Sequence, residues 1–333
     1  MNPTVTILIP TYNEEHHVQR LVENLLSQDY PRNLMEVFVI DGQSKDKTRE
    51  ILSSYAVTEH WLHLLVNPLR YVPYALNEGI RRSTGEIIIR MDAHAVYPEN
   101  YISILVQRLN ELQADNVGGV WDSQPGDNSI KALAIARVTS SVFGVGNAFY
   151  RIGATSIQEV NTVPFGCYRR ELFDRIGMFD EAMNRNQDDE FNARLTKNGG
   201  RIFLLPELVI TYYARKTIRA IMRMFWLDGL YKPLVVRKIG RPTTVRQFIP
   251  VAFVLYLLGL PLFFLIWPGW GFFAAAGVGL YILADLWFSF RILADTRTPA
   301  CLLYTPWLFL LVHICYGTGY LVGIFRFILF GKK

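Results

Sequence analysis

Carboxylates all but vanish toward the C-terminal end of the chain. From Phe248 to Phe330 the only acidic residues are Asp285 and Asp295, and apolar runs fill the interval. A stretch so poor in charge does not make the surface of an ordinary soluble domain. Cysteine is scarce as well. Cys167, Cys301 and Cys315 are odd in number, two lie in the apolar tail, and no CxxC or Cys/His spacing accompanies them. That argues against a disulfide framework or a cysteine zinc site and fits a reducing compartment. The segment "MNPTVTILIPTYNEE" lacks the basic and long apolar regions of a secretory signal. Internal repeats and low-complexity linkers are absent too.

What is present divides the chain. Its 333 residues suffice for one large domain or two ordinary ones, and 51% of them are hydrophobic against 19% charged. The net charge of +5 is gathered just before the apolar tail, at Arg215, Lys216, Arg219, Arg223, Lys232, Arg237, Lys238, Arg241 and Arg246, opposed mainly by Asp228. Cations flanking apolar spans face anionic lipid on the cytoplasmic side, so membrane lipids, and no nucleic acid, are the expected partners. The segment "KTIRAIMRMFWLDGLYKPLVVRKIG" mixes these cations with Ile218, Ile221, Phe225 and Trp226, the profile of a helix lying in a membrane interface. Three apolar stretches follow, Phe248 to Trp267, Gly271 to Phe290 and Leu302 to Phe330, each long enough for the about 20 residues of a span. Pro250, Pro261, Pro268, Gly317 and Gly319 argue against straight rods. Arg291 and Arg297 after the second stretch agree with a cytoplasmic N-terminal half. Three full spans would put Lys332 and Lys333 outside, against that rule, and the alternative is that one stretch is re-entrant or interfacial.

Before the tail, strand-like and helix-like segments alternate. "VTILIP", "MEVFVID", "HLLV" and "EIIIRMD" read as buried strands, the last apolar run ending in Arg90. Between them "EEHHVQRLVENLLSQ", "SKDKTREILSSYA" (capped by Ser44 or Asp46) and Tyr74 to Arg82 read as helices. The pattern predicts an α/β fold with a mostly parallel, Rossmann-like sheet, and such sheets bind ligands at the carboxyl ends of their strands. Three polar clusters, "PTYNEE", "DGQSKDKT" and "DAH", should therefore converge. After Trp121 the alternation stops. Ile130 to Gly153 reads either as a core helix or as one at the membrane surface, and "RIFLLPELVITYYAR" as two short strands.

The clusters carry candidate chemistry. Asp41 ends a strand beside Gly42, where a carboxylate would accept hydrogen bonds from a base N–H or a ribose hydroxyl; the alternative is a helix-capping turn. Tyr12 would stack on a base and Glu14 bind its edge, or Tyr12 would pack and Glu14 start a helix. Asp92 and His94 stand at i and i+2, and point to one side if strand geometry continues. A carboxylate and an imidazole so placed suit a divalent ion at a diphosphate, the alternative being a solvated or core histidine.

In order along the chain, "TILIPTYNEE", "VIDGQSKDKT", "ALNEGIRRSTGEIIIRMDAH" and "NQDDEFNARL" resemble the successive signatures of family 2 glycosyltransferases, over about Thr4 to Tyr213. "RMDAHAVYP", "VPFGCYRRELFDRIGMFDE" and the apolar tail narrow the likeness to bacterial membrane transferases of exopolysaccharide assembly, of the succinoglycan type. The resemblance implies a GT-A catalytic domain at 1–213, a basic interfacial segment at 214–247 and a transmembrane region at 248–330. It implies inverting transfer of one hexosyl unit in the cytoplasmic membrane of a bacterium, from a nucleotide sugar such as a UDP-hexose or UDP-hexuronate to a polyprenyl-linked acceptor. It places the nucleotide sugar at Pro10, Tyr12, Glu14, Asp41 and Asp92, and Mn²⁺ or Mg²⁺ at Asp92 and His94. His94 stands where many relatives have a second aspartate, and the exopolysaccharide group carries the same "DAH". On the family's Glu-Asp-x-Glu-Leu pattern Gln187 takes the first position and Asp188 the catalytic base, with Asp189 the alternative and helix capping the plain reading of both. Gly166, Cys167 and Arg194 would support the acceptor side, although Arg194 also stands one helical turn from Glu190. The Gln-x-x-Arg-Trp motif of processive synthases is missing, which favours single-sugar transfer. A polyprenyl phosphate acceptor and a silent membrane scaffold are the alternatives.

Overall fold

The computed structural model describes residues 2–266, 269 and 271–331. Met1, Trp267, Pro268, Trp270, Lys332 and Lys333, some of which entered the sequence reading, lie outside the described residues. In chain order the first elements are β1 (Val5–Thr11), α1 (Val18–Leu26), β2 (Met35–Asp41), α2 (Thr48–Thr58), β3 (Leu62–Val66), α3 (Val72–Arg82) and β4 (Ile87–Arg90). Next come β5 (Ala95–Val96), α4 (Tyr101–Glu111), β6 (Asn116–Gln124), α5 (Ile130–Val138), α6 (Val142–Val145) and α7 (Phe149–Ile152). Then follow β7 (Gln158–Glu159), β8 (Cys167–Arg169), α8 (Glu171–Ile176), α9 (Gln187–Lys197) and β9 (Ile202–Tyr213). The chain closes with α10 (Ile218–Ile239), α11 (Ile249–Ile266), α12 (Gly271–Thr296) and α13 (Thr305–Gly323).

Two compact units result. One joins Met1–Asp122 to Gly153–Tyr212, and the other joins Ser123–Ile152 to Tyr213–Lys333. The division is thus not linear along the chain, as the ranges 1–213, 214–247 and 248–330 would have it. The apolar segment after Trp121 belongs with the C-terminal helices because its buried face, Ile135 and Val138 among it, packs with Ile221, Phe225, Leu308 and Val312. That segment is neither of the single helices its composition suggested. It breaks into α5 to α7: Ser129 caps α5 by accepting from the Ala132 N–H at 3.1 Å, and Gly146, at φ +61°, ends α6.

In the first unit a nine-stranded sheet runs in the order β3-β2-β1-β4-β8-β6-β9-β5, with β7 also on β9. The pairs β2–β3, β1–β2 and β1–β4 are parallel, as the alternating pattern predicts. From β8 onward the described pairings are antiparallel, so the sheet is mixed rather than mostly parallel. The reason is the route of the chain. Between β6 and β8 it leaves this unit at Ser123 and returns at Gly153, so that neighbouring pair is not joined by a helical crossover within the unit, the connection that enforces parallel pairing. β9 is also one strand of 12 residues, not two. Pro206 is tolerated within it because β7 pairs only at Phe203 and Leu204, and β5 only at Thr211 and Tyr212. The core is the apolar inner face of the sheet, Ile7, Val39 and Ile89 among it, under Leu21, Val22 and Leu25 of α1 and Leu105 and Leu109 of α4. Among the described residues of the second unit three helices are long and apolar enough to cross a membrane, at Val245–Ile266, Ala274–Thr296 and Thr305–Leu329.

The end of the sheet away from the polar clusters is tied by one carboxylate. Glu36 accepts from the Thr6 hydroxyl at 2.6 Å and from the N–H groups of Thr84 and Gly85 at 2.6 and 2.8 Å. Burial opposes its charge, but these donors outweigh burial and hold its carboxyl below the ordinary range. A depressed carboxylate contributes stability above its unfolded value, about 4.3, and loses it as pH falls through the folded value. Glu36→Gln should therefore lower the melting temperature at pH 7, with the gap to wild type closing as pH falls below about 4.3. Melting curves across that range check this, and a gap independent of pH would refute it.

Candidate functional site

The strand ends do converge. β1 and β2 run in register from Val5↔Met35 to Thr11↔Asp41, and Leu8 lies opposite Arg90 at the end of β4. The two polar loops that follow are laced together. Gly42 donates to the Thr11 carbonyl at 2.8 Å, Asn13 to the Ser44 hydroxyl at 2.8 Å, Glu14 to the Thr48 hydroxyl at 2.7 Å and Lys45 to the Asn13 side chain at 2.9 Å. Asp41, fully buried, accepts from the Ser44 N–H at 3.0 Å and hydroxyl at 2.5 Å and faces Arg49 at 3.6 Å. Through these contacts its carboxylate shapes the turn. Ser44 serves Asp41 rather than capping α2, and Asp46 accepts from the Thr48 N–H at 3.1 Å. Tyr12 is exposed, with the Arg70 guanidinium 5.5 Å from its ring centre, and Pro10 sits beside Ile40 in the sheet.

Strand geometry stops at Arg90, so Asp92 and His94 do not continue one face. They part. His94 Nδ1 lies 3.3 Å from Glu14 Oε1, and its ring lies 5.9 Å from that of Tyr212. Asp92 turns back to Arg90 Nη2 at 3.4 Å, and its backbone N–H donates to the Tyr97 hydroxyl at 2.6 Å.

Arg90 is the side chain that joins the pieces. It is 7% exposed, its other terminal nitrogen contacts Asp188 Oδ2 from α9, and its guanidinium lies 5.6 Å from the Phe165 ring centre. Burial works against its charge, yet Asp188 and Asp92 beside it hold its pKa above the ordinary arginine value. For Asp188, burial raises the carboxyl pKa and Arg90 pulls it back, while Asp92 and Asp189 push it up again; the net direction is upward. Asp188 Oδ1 is buried and has no hydrogen-bond partner among the described residues. The sequence reading did not single out Arg90. The signal was there, since a charge closing a fully buried strand must find a carboxylate.

Other candidates take structural places. Arg194 binds Glu190 through two bonds, at 2.8 and 2.9 Å, and the carbonyls of Ile176, Gly177 and Met178 at 2.5, 3.0 and 2.8 Å, clamping that turn to α9. Cys167 is fully buried and paired with Ile89 on one side and Val117 on the other, and burial pushes its thiol far up. Gly166 offers its carbonyl to the Arg90 N–H at 3.0 Å. Gln187 opens α9, and Asp189 is its third residue.

No group of three or more His, Cys, Asp or Glu side chains is arranged to hold a metal among the described residues. The side chain of His94 has one feature that suits a metal ligand. A neutral imidazole whose Nδ1–H is turned to Glu14 presents Nε2 as its basic nitrogen, the usual device behind a metal-bound histidine.

Comparison with known proteins decides the family. Glycosyl transferase family 2 matches residues 6–177, more than half of the chain. The chain belongs to glycosyl transferase family 2. A Methanococcus voltae protein named dolichyl N-acetyl-alpha-D-glucosaminyl phosphate 3-beta-D-2,3-diacetamido-2,3-dideoxy-beta-D-glucuronosyltransferase is 26% identical over 97% of both chains. The succinoglycan biosynthesis protein ExoA of Rhizobium meliloti is 28% identical over 88% of this chain and 87% of its own. Among solved structures, the mannosyltransferase PcManGT from Pyrobaculum calidifontis, in complex with GDP-Man and Mn²⁺, superposes with a TM-score of 0.61 at 23% identity over 96% of this chain and 88% of its own. The GT-A type fold expected from the motifs is the fold observed.

In this glycosyltransferase, removing Arg90 would strand two carboxylates. Arg90→Gln should destabilise the catalytic unit by roughly 3 kcal/mol, the low end for breaking a buried pair, because both carboxylates keep some exposure. Asp188→Asn added to it should restore part of that loss. Thermal denaturation of the two variants tests this, and a double variant less stable than Arg90→Gln would contradict the pairing.

Proposed function

We propose that this family 2 enzyme transfers one hexosyl unit, with inversion, from a UDP-sugar to a polyprenyl-diphosphate-linked saccharide at the cytoplasmic face of a membrane. The observation that carries the reading is the state of Asp188. One carboxylate oxygen is held by Arg90, and the other is buried without a partner among the described residues, at the position the family pattern assigns to the base. In this mechanism the acceptor hydroxyl gives its proton to Asp188 Oδ1 as its oxygen bonds to the anomeric carbon. The bond from that carbon to the nucleoside diphosphate breaks on the opposite face, which inverts the centre. A raised pKa suits a group that must take up a proton. Tyr12 would stack on the base, with Pro10, Glu14, Asp41 and Asp92 lining the nucleotide-sugar site.

Asp92 and His94 would hold a divalent cation, Mn²⁺ or Mg²⁺, with oxygens of the nucleotide completing a set the protein leaves short. When bound, the ion supplies positive charge against the departing diphosphate. That the Pyrobaculum structure of like fold is a complex with GDP-Man and Mn²⁺ supports a divalent cation as such. A lipid-linked acceptor is supported by the name of the Methanococcus relative, whose acceptor is a dolichyl phosphate sugar, and by the three apolar helices. Exopolysaccharide assembly is supported by the likeness to ExoA.

Membranes containing the enzyme, incubated with labelled nucleotide sugars and bacterial lipid extract, should transfer label from a UDP-sugar to lipid, and EDTA should stop the transfer. Asp188→Asn should lower turnover by ~10²–10⁴-fold while donor binding stays within a few-fold of wild type. Near-normal turnover in that variant, with Asp189→Asn inactive, would move the base to Asp189.

A further inference from the structure

Three helices could cross a membrane by length and composition, but their packing sets the third apart. Only 11% and 17% of the first two apolar windows are buried within the protein, against 44% of the third. α11 and α12 pack on each other as an antiparallel pair: Phe253 stacks on Tyr281 at 4.2 Å, and the Tyr256 hydroxyl reaches the Ala274 carbonyl. Large side chains such as Leu258, Leu262, Leu283 and Trp287 stand exposed on them.

α13 does not run along this pair. Its Phe309 lies 6.5 Å from Phe288 and its His313 meets the Tyr281 hydroxyl at 2.9 Å, both on α12. One turn further, Gly317 abuts the Pro250 carbonyl of α11, and Tyr320 lies 5.8 Å from Phe248. Successive contacts thus pass sideways from α12 to α11. Both ends of this run touch the base of the pair, at Phe288 and Phe248. Over 309–320, about 16 Å of helix, a lengthwise neighbour would have climbed to deeper levels. Instead the contacts described stay within 248–254 and 281–288. α13 crosses the base of the pair.

A second observation agrees. α13 is locked to α10 with the backbones in contact: a Cβ at Gly319 would strike the Trp226 carbonyl, one at Gly323 the Leu230 carbonyl, and one at Gly229 the Tyr316 carbonyl. Farther along, Arg237 donates to the Phe327 carbonyl at 2.7 Å. The two helices run side by side in the same direction. Were α13 to cross the bilayer, α10 would carry Lys232, Arg237 and Lys238 into hydrocarbon, which is expensive. Charge placement points the same way. Arg241 and Arg246 precede α11, Arg291 and Arg297 lie at the end of α12 and just after it, and Arg326 follows α13, whereas the link between α11 and α12, "WPGW", has no charge and two tryptophans.

We propose that, among the described residues, α11 and α12 are the only two membrane crossings, and that α13 lies with α10 in the head-group layer. The C-terminus then returns to the side of the membrane on which α10 lies. The proposal rests on the membrane-bound reading above but not on the chemistry assigned to it.

Single-cysteine labelling with a membrane-impermeant maleimide tests it in intact and lysed cells expressing the full chain. Wild type gives the background, since its three cysteines are buried. Variants Arg241→Cys, Gly269→Cys and Gly331→Cys report α10's side, the α11–α12 link and the C-terminus. Gly331→Cys should label under the same condition as Arg241→Cys, and Gly269→Cys under the opposite one. Gly331→Cys behaving like Gly269→Cys would mean three crossings and overturn the proposal. All three behaving alike would mean no crossing and also overturn it. Whether Arg241→Cys labels only after lysis tests the cytoplasmic orientation separately.

Discussion

A guanidinium buried at the end of a parallel strand must be neutralised where it stands, and Arg90 organises the catalytic unit by that need. Its strand is central in the sheet, so its position is fixed by β1 on one side and β8 on the other. Two carboxylates reach it from different parts of the chain, Asp92 from the loop just beyond and Asp188 from α9. The proposed donor side and the proposed base are thereby held by a single cation. The arrangement also sets the electrostatics, because a half-buried carboxylate without Arg90 would be driven much further toward its neutral form.

Much of this was legible in the sequence. The strand ends near Thr11, at Asp41 and at Arg90 followed, to within a residue, from short apolar runs closed by polar turns, and the polar clusters after them meet as expected. Four motifs in order were enough to indicate the family. What escaped was long-range. Nothing near "IIIR" says that its partner lies 98 residues on, and the pairing of His94 with Glu14 joins segments 80 residues apart. The mixed sheet and the nonlinear units escaped for a related reason, since local periodicity cannot show that Ser123–Ile152 leaves one unit for the other. Composition had likewise made β9 two strands, where incomplete pairing along one edge lets Pro206 stay within one.

The second unit shows the limit of hydropathy in the same way. Composition ranks the three apolar stretches as near equals. Packing separates them, because glycines at 229, 319 and 323 bring α10 and α13 into backbone contact and leave α11 and α12 with their apolar faces outward. An acceptor anchored in lipid needs its sugar end presented at the head-group layer. A basic helix braced by a second helix in that layer would offer such a surface, whereas a third crossing would not.

The charge of Arg90, in contact with Asp188, opposes the effect of burial on the proton affinity of Asp188. The pH dependence of turnover in wild type, Arg90→Lys and Arg90→Gln measures this most directly. The base must be unprotonated to act, so turnover should fall as pH drops through the Asp188 pKa. Because that pKa is raised by burial, the wild-type fall should come above the ordinary aspartate value of about 3.9. Arg90→Gln removes the positive charge that Asp188 contacts and that lowers this pKa, and should move the fall to higher pH, while Arg90→Lys should keep it near wild type. An acid limb that stays in place when the charge of Arg90 is removed would contradict the account.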